Sequence, residues 1–295
     1  MSTHVYSSQY PGWLIRGMHI YNATLARLFP GFTARLYFKV MLTPRRRKLR
    51  EQQRAFLRQA RQIEIEGHYG KANGFVWGKD GQSVLVAHGW NSCAADFMQL
   101  IESLVADGYR VFAFDAPAHG SSPGKISSII HIRETIRAFT EQFGTPYAII
   151  GHSAGGSAAG FFLSDPALQT RVDKLITIGS PSIPKTLFQE TQALFHVPDR
   201  VMNKLYRNFE SFFKIHIDDF DLNTRAEGLR AGQVMIVHDR EDHIVPFETG
   251  RKLAESWPKA QFLPTSGIAH FRSIRHPRVI EAVRHFLNEP ARIAS

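Results

Sequence analysis

The sequence predicts an α/β fold, a mostly parallel eight-stranded sheet with helices on both faces. Three observations predict it. The chain has 295 residues, 43% hydrophobic and 21% charged, which is an ordinary globular mix with enough apolar material for one large core. From residue 62 onward, short β-rich runs alternate with longer helical patterns. Most of those runs are continuously apolar, as strands covered on both faces must be.

The elements follow in order. Residues 62–66 and 74–77 form a hairpin-like pair. Residues 83–87 (SVLVA), 110–114 (RVFAF), 147–150 (YAII), 174–178 (KLITI), 233–237 (QVMIV) and 261–263 are the remaining strands. Between them lie helical patterns at 94–106, 127–143, 154–163, 248–256 and 277–287. In such folds ligands sit beyond the carboxyl ends of the strands.

The net charge of +10 is unevenly spread. Residues 1–66 hold 12 Lys+Arg against 3 Asp+Glu, leaving 24 against 23 for the rest. Leu14, Met18, Tyr21, Leu25 and Leu28 recur at helical spacing, and Pro30-Gly31 is expected to end that helix. Pro44 is expected to open a second, basic helix. On it Arg47, Arg50, Arg54, Arg58 and Arg61 share one sector, opposite Leu49, Phe56, Ala60 and Ile63. The apolar face suits packing on the main body. The arginine face of residues 47–61 suits anionic lipid head groups. Nucleic acid is not expected, because no recognition motif or base-stacking pattern accompanies the charge.

One cysteine excludes a disulfide framework and a cysteine-rich metal site. No apolar run reaches the ~18–20 residues that span a bilayer, and the first residues lack a secretory pattern. The expected location is cytoplasmic, peripheral to the membrane.

Four strand ends carry chemistry. After residues 147–150 comes Gly151-His152-Ser153-Ala154-Gly155, a G-x-S-x-G between a strand and a helix. Ser153 is the candidate nucleophile, held at a sharp turn before a helix N-terminus. After residues 83–87 comes His88-Gly89-Trp90. Its turn would supply the backbone N–H of Trp90 as an oxyanion donor beside that of Ala154. The His88 ring itself is read as structural. After residues 233–237 stand Asp239, Glu241 and Asp242, one of which must orient a histidine. After residues 261–263 comes His270, before the last helix. His243 and His276 compete with it less well by position. Cys93 lacks the elbow context and is read as a small buried residue.

These segments give residues 67–295 a resemblance to the α/β-hydrolase fold family, of the esterase and lysophospholipase kind. The matches are His88-Gly89, Asp115 through Ser121, Gly151 through Gly156, and His238 through Pro246 with Gly267–His270. The resemblance implies Asp242 as the acid, four residues after His238, and so a Ser153, Asp242, His270 order. Two departures stand out: Ala118 where the family has glycine before His119-Gly120, and Asp239 where it has glycine after His238.

Residues 181–232 are too long for a simple connection, and the family inserts a lid there. This stretch carries Phe188, Phe195, Tyr206, Phe209, Phe212, Phe213 and Phe220, with Leu205, Phe209, Phe212 and Phe213 expected on one helical face. The expected organisation is thus a basic helical extension over 1–61 and a hydrolase domain over 62–295 with its lid at 181–232. The expected function is a serine hydrolase cleaving a small, hydrophobic or lipid-like carboxylic ester, without metal or organic cofactor. His152, Phe209 and Phe213 are the candidate substrate contacts. Alternatives are a thioesterase, amidase or acyltransferase on the same residues, or a non-catalytic membrane-surface module.

Overall fold

The computed structural model describes residues 11–257 and 259–290. Helices α1 (Gly12–Ala23), α2 (Leu25–Leu28), α3 (Pro30–Met41) and α4 (Glu51–Arg58) come first. Strands β1 (Arg61–Gly67), β2 (Gly70–Trp77) and β3 (Ser83–Ala87) follow. Then α5 (Met98–Ala106) leads to β4 (Arg110–Asp115), α6 (Ile129–Phe143) to β5 (Ala148–His152), and α7 (Ala154–Leu163) to β6 (Val172–Ile178). Helices α8 (Pro184–Phe195) and α9 (Asp199–Phe213) separate β6 from β7 (Ala231–Asp239). Helix α10 (Phe247–Ser256), strand β8 (Ala260–Thr265) and helix α11 (Pro277–Asn288) complete the order.

The eight strands form one sheet in the order β1-β2-β4-β3-β5-β6-β7-β8. The β1–β2 and β2–β4 pairs are antiparallel and the rest parallel. Every residue of β5 is buried, which is why its sequence is apolar without alternation. At the edge, β1 is largely exposed and its Glu64 and Glu66 pair with Lys71 of β2, a charged edge that discourages further strand pairing. Helix α7 is buried along its whole length. Lys174, on β6, is fully buried and donates to the carbonyls of Phe286, Leu287 and Glu289, satisfying the C-terminal carbonyls of α11.

The chain divides into two compact units. One joins residues 11–43 with 183–221 and is helical; the other joins 44–182 with 222–290 and holds the sheet. The extension and the insertion, read from sequence as separate parts, thus share one core, which includes Ala26, Ala34, Leu194, Phe195, Val201 and Leu205. The contact has a polar reason. Asn22 is fully buried, donates to the Phe195 carbonyl at 2.8 Å and accepts from the Tyr37 hydroxyl at 2.6 Å. The His19 ring donates to the Leu194 carbonyl at 2.8 Å. Side chains of α1 thereby take up carbonyls that the end of α8 leaves without helical partners.

Four local expectations are corrected. The run expected as one helix is broken at Thr24 into α1 and α2; it does stop at Leu28, before Pro30, and Pro30 also opens α3 at the first position, where its missing N–H costs nothing. The basic helix is shorter than residues 44–63, because 44–50 are irregular and Ile63 lies in β1. Arg46 is drawn onto the carbonyls of Ala118, Ser122 and Gly124, and Arg47 onto Asp96. The contiguous arginine face of 47–61 is therefore not formed, and Arg54 and Arg58 both pair with Glu51. Phe56 of α4 stacks on Trp77, with ring centroids 4.7 Å apart, and so anchors α4 to the sheet unit. In α9, Leu205, Phe209 and Phe213 are buried at steps of four, whereas Phe212 is 45% exposed, one step off that row.

Candidate active site

The elbow is built by a strand that must become a helix within one residue. β5 ends at His152 and α7 starts at Ala154. Ser153 between them has φ 51° and ψ −123°, a backbone conformation that costs on the order of 1–3 kcal/mol. Its amide donates to the Ile178 carbonyl at 2.9 Å, and its own carbonyl accepts from Gly156 at 3.0 Å. The strain is thus held from both sides. Ala154, the first helical residue, contributes an N–H that has no acceptor within its helix.

The turn after β3 lies against this elbow. A side chain at Gly89 would put its Cβ 2.8 Å from the Ser153 Cβ, so only glycine lets the two backbones pass. His88 sets the turn. Its Nε2 accepts from the Ala116 amide at 2.9 Å, so its Nδ1 carries the proton and donates to the Gly89 carbonyl at 2.7 Å. Burial pushes its pKa down to about 4, so the ring is neutral. Trp90 follows, its ring edge-on to His119 at 5.2 Å. Asp115, buried at the end of β4, accepts from the amides of Ala94 and Ser121 and ties the two loops together.

Asp242 and His270 meet directly. The His270 Nδ1 lies 2.7 Å from the Asp242 Oδ2, and both residues are buried. The other carboxylate oxygen accepts from the amides of Ile244 and Val245, at 2.8 Å each. The carboxylate is thereby fixed before it touches the ring. Gly179, at the end of β6, passes close behind: a Cβ there would lie 3.2 Å from both Asp242 Oδ2 and His270 Nδ1. His243 is exposed on the same turn, and His276 stands at the start of α11. Of the candidate rings, His270 is thus seen to donate to the Asp242 carboxylate.

His152, expected at the substrate, is 1% exposed and its Nε2–H donates to the His270 carbonyl at 3.1 Å. It braces the histidine loop against the elbow. Burial, then the neighbouring His270, holds its pKa well below the usual range. Phe209 and Phe213 lie in the helical unit, where they pack on each other with Phe188 and Phe220 against Phe209. Cys93 is buried, and burial pushes its thiol up to about 11, so it stays protonated. Among the described residues no group of His, Cys, Asp and Glu is arranged to hold a metal ion.

Sequence reasoning named one residue, Asp239, without giving it a role. Asp239 is 1% exposed, and its carboxylate accepts from the amides of Ile268, Ala269 and Glu241 and from the Thr265 hydroxyl. Three of those donors come from β8 and the loop that carries His270; the fourth comes from the turn that carries Asp242. Burial works against the charge, but these hydrogen bonds outweigh it and hold the carboxyl below the usual carboxylate range. Ala269, next to His270, has φ 60° and ψ 173°, a conformation suited to glycine. Asp239 holds that strained amide in place. The signal was present in the sequence as an acid where the family pattern has glycine.

A model of the alpha/beta hydrolase fold family matches residues 82–231, just over half of the chain. The bifunctional esterase/perhydrolase of Acinetobacter calcoaceticus is 24% identical over 243 residues, covering 66% of this chain and 87% of that protein. The 2-hydroxy-6-oxononadienedioate/2-hydroxy-6-oxononatrienedioate hydrolase of Cupriavidus pinatubonensis is 26% identical over 247 residues, covering 68% and 84%. The solved structure of an esterase from Pyrococcus furiosus aligns with a TM-score of 0.61 at 22% identity, over 83% of this chain and 96% of that one. At that identity the structural likeness speaks for the fold.

Proposed function

This chain belongs to the α/β-hydrolase fold family, and on that premise we propose that it is a serine hydrolase of carboxylic esters working through Ser153, His270 and Asp242. The observation that carries the proposal is the strained Ser153 at the head of α7, in a unit where His270 is hydrogen-bonded to a carboxylate already fixed by two amides. The Ser153 hydroxyl attacks the acyl carbon while the Nε2 of His270 takes its proton. The negative charge on the former carbonyl oxygen is met by the amides of Trp90 and Ala154. His270 then protonates the leaving alcohol, and the acyl-Ser153 ester is hydrolysed by water activated on the same ring. Asp242 keeps the proton on Nδ1, so that Nε2 faces the reaction as a base.

The esterase named among the relatives supports an ester as the substrate class. A hydrophobic, lipid-like acyl group is the finer part of the reading, supported by the aromatic content of residues 181–232. Intact-mass spectrometry after incubation with a fluorophosphonate tests the first part. One adduct on the wild type and none on Ser153→Ala is expected; no adduct on folded wild type overturns it. A p-nitrophenyl ester series tests the second. A kcat/KM that rises with chain length is expected, and a sharp fall beyond acetate overturns it. Thioester and amide analogues in the same panel separate the competing leaving groups.

A further inference from the structure

We infer that the exposed face of α1–α3 docks on an anionic phospholipid surface. The inference uses none of the residues assigned to catalysis and stands apart from the hydrolase reading. Among the described residues, eight of the eleven exposed large hydrophobic side chains lie between Trp13 and Val40. Trp13 is 75% exposed, Leu28 71% and Phe32 67%. A single exposed leucine is ordinary, but such a concentration on three consecutive helices marks a contact surface.

The pattern is not that of a surface helix with its polar side out. Ile15, Met18, Tyr37 and Phe38 of the same helices pack against the core of the unit. On α3, Phe32, Leu36 and Val40 recur every fourth residue and are exposed. On α1, Trp13 and Ile20 lie two turns apart and are exposed. These helices are therefore apolar on two sides, one of which faces water. That costs solubility unless something apolar covers it.

Charge selects the occupant. Arg16, Arg27, Arg35 and Lys39 are exposed among these side chains, and residues 1–50 contain no Asp or Glu. A second copy docked by a two-fold axis would bring the four cations of one face onto the same four of the other, with no acid to offset them. An anionic bilayer satisfies both components. Tryptophan and phenylalanine suit the head-group level, leucine, isoleucine and valine reach the acyl boundary, and the cations sit over lipid phosphates. Among the described residues no helix is long and apolar enough to cross a membrane, so the contact lies in the plane of the interface. The proposed lipid-facing surface is distinct from the arginine face of residues 47–61 that the sequence suggested, of which Arg47 pairs with Asp96 and Arg54 and Arg58 with Glu51.

The test is cosedimentation of the full chain with vesicles of phosphatidylcholine plus phosphatidylglycerol, against phosphatidylcholine alone. The wild type should pellet with the anionic vesicles and be released as salt rises. Leu28→Ser/Phe32→Ser/Val40→Ser should weaken binding at least about tenfold while leaving the melting temperature in place, because all three side chains are exposed. The variant Arg16→Gln/Arg27→Gln/Arg35→Gln/Lys39→Gln should lose about fivefold per cation and its preference for phosphatidylglycerol, even should the apolar variant fold poorly. A blue shift of tryptophan emission on adding anionic vesicles should vanish in Trp13→Phe. Folded wild type that stays in the supernatant overturns the inference. So does binding that neither multiple variant changes, or a wild-type dimer in light scattering that the apolar variant splits, which would make this face a contact between copies.

Discussion

The helical unit and the sheet unit spend their apolar residues in opposite ways. In the sheet unit large hydrophobics vanish inward: Phe97, Phe114, Phe139 and Phe162 are all at most 1% exposed, and only Phe143 and Phe271 are exposed large hydrophobics among its described residues. Three of its buried carboxylates, Asp115, Asp239 and Asp242, are hydrogen-bonded across loops. In the helical unit a core of Leu194, Phe195, Val201 and Leu205 forms with Ala26, Ala34 and the buried Asn22, while aromatic rings such as Trp13 and Phe32 face water. One unit is built to hold a few polar groups rigidly; the other presents apolar surface. Positive φ occurs at non-glycine residues in both units: at His196 and Lys214, which close α8 and α9, and in the sheet unit at Ser153 and at Ala269, next to His270.

Substitutions probe this contrast over a wide range of effects. Ser153→Ala should lower kcat on an activated ester by about 10⁴–10⁶-fold with little change in melting temperature; residual activity within tenfold of wild type would remove the sheet unit's claim to the chemistry. Phe162→Ala should cost about 3–5 kcal/mol in a denaturant titration. Phe32→Ser should shift the same curve by no more than about 0.5 kcal/mol, because its ring is already in water. Similar costs at the two positions would abolish the contrast.

Asp239→Ala should lower kcat by about 10–100-fold with KM little changed, because the His270 loop loses its brace. Asp239→Asn, which keeps the shape and part of the hydrogen bonding, should recover a portion. The folded-state pKa of Asp239 is depressed, so its stabilising contribution is present above the ordinary carboxylate value and is lost as pH falls through the lowered one. Melts across acid pH should therefore fall less steeply for Asp239→Asn than for wild type.

The smallest effect belongs to Ala118→Gly. Ala118 has φ 63°, where a Cβ is strained, so glycine should gain up to about 1 kcal/mol, partly offset by the greater freedom of the unfolded chain.

Much of this protein was legible one residue at a time. The central strands showed because a doubly covered strand must be apolar throughout. The elbow showed because a strand-to-helix turn needs small residues around its apex. Ser153 and His270 stood out because each follows a strand end, where α/β folds place their ligands, whereas Asp242 was separated from Asp239 and Glu241 only by the family resemblance. Local pattern could not reveal contacts between distant segments. Residues 11–43 and 183–221 share a core because Asn22 and His19 meet the last carbonyls of α8, over 170 positions away in sequence, and no periodicity encodes that pairing. Arg47 was read as part of a helix face because charge spacing is local, whereas its partner, Asp96, is supplied by folding. Composition and period belong to the chain alone. Which carbonyl receives a buried side chain, and which apolar face is left in water, depends on what the rest of the chain brings beside it.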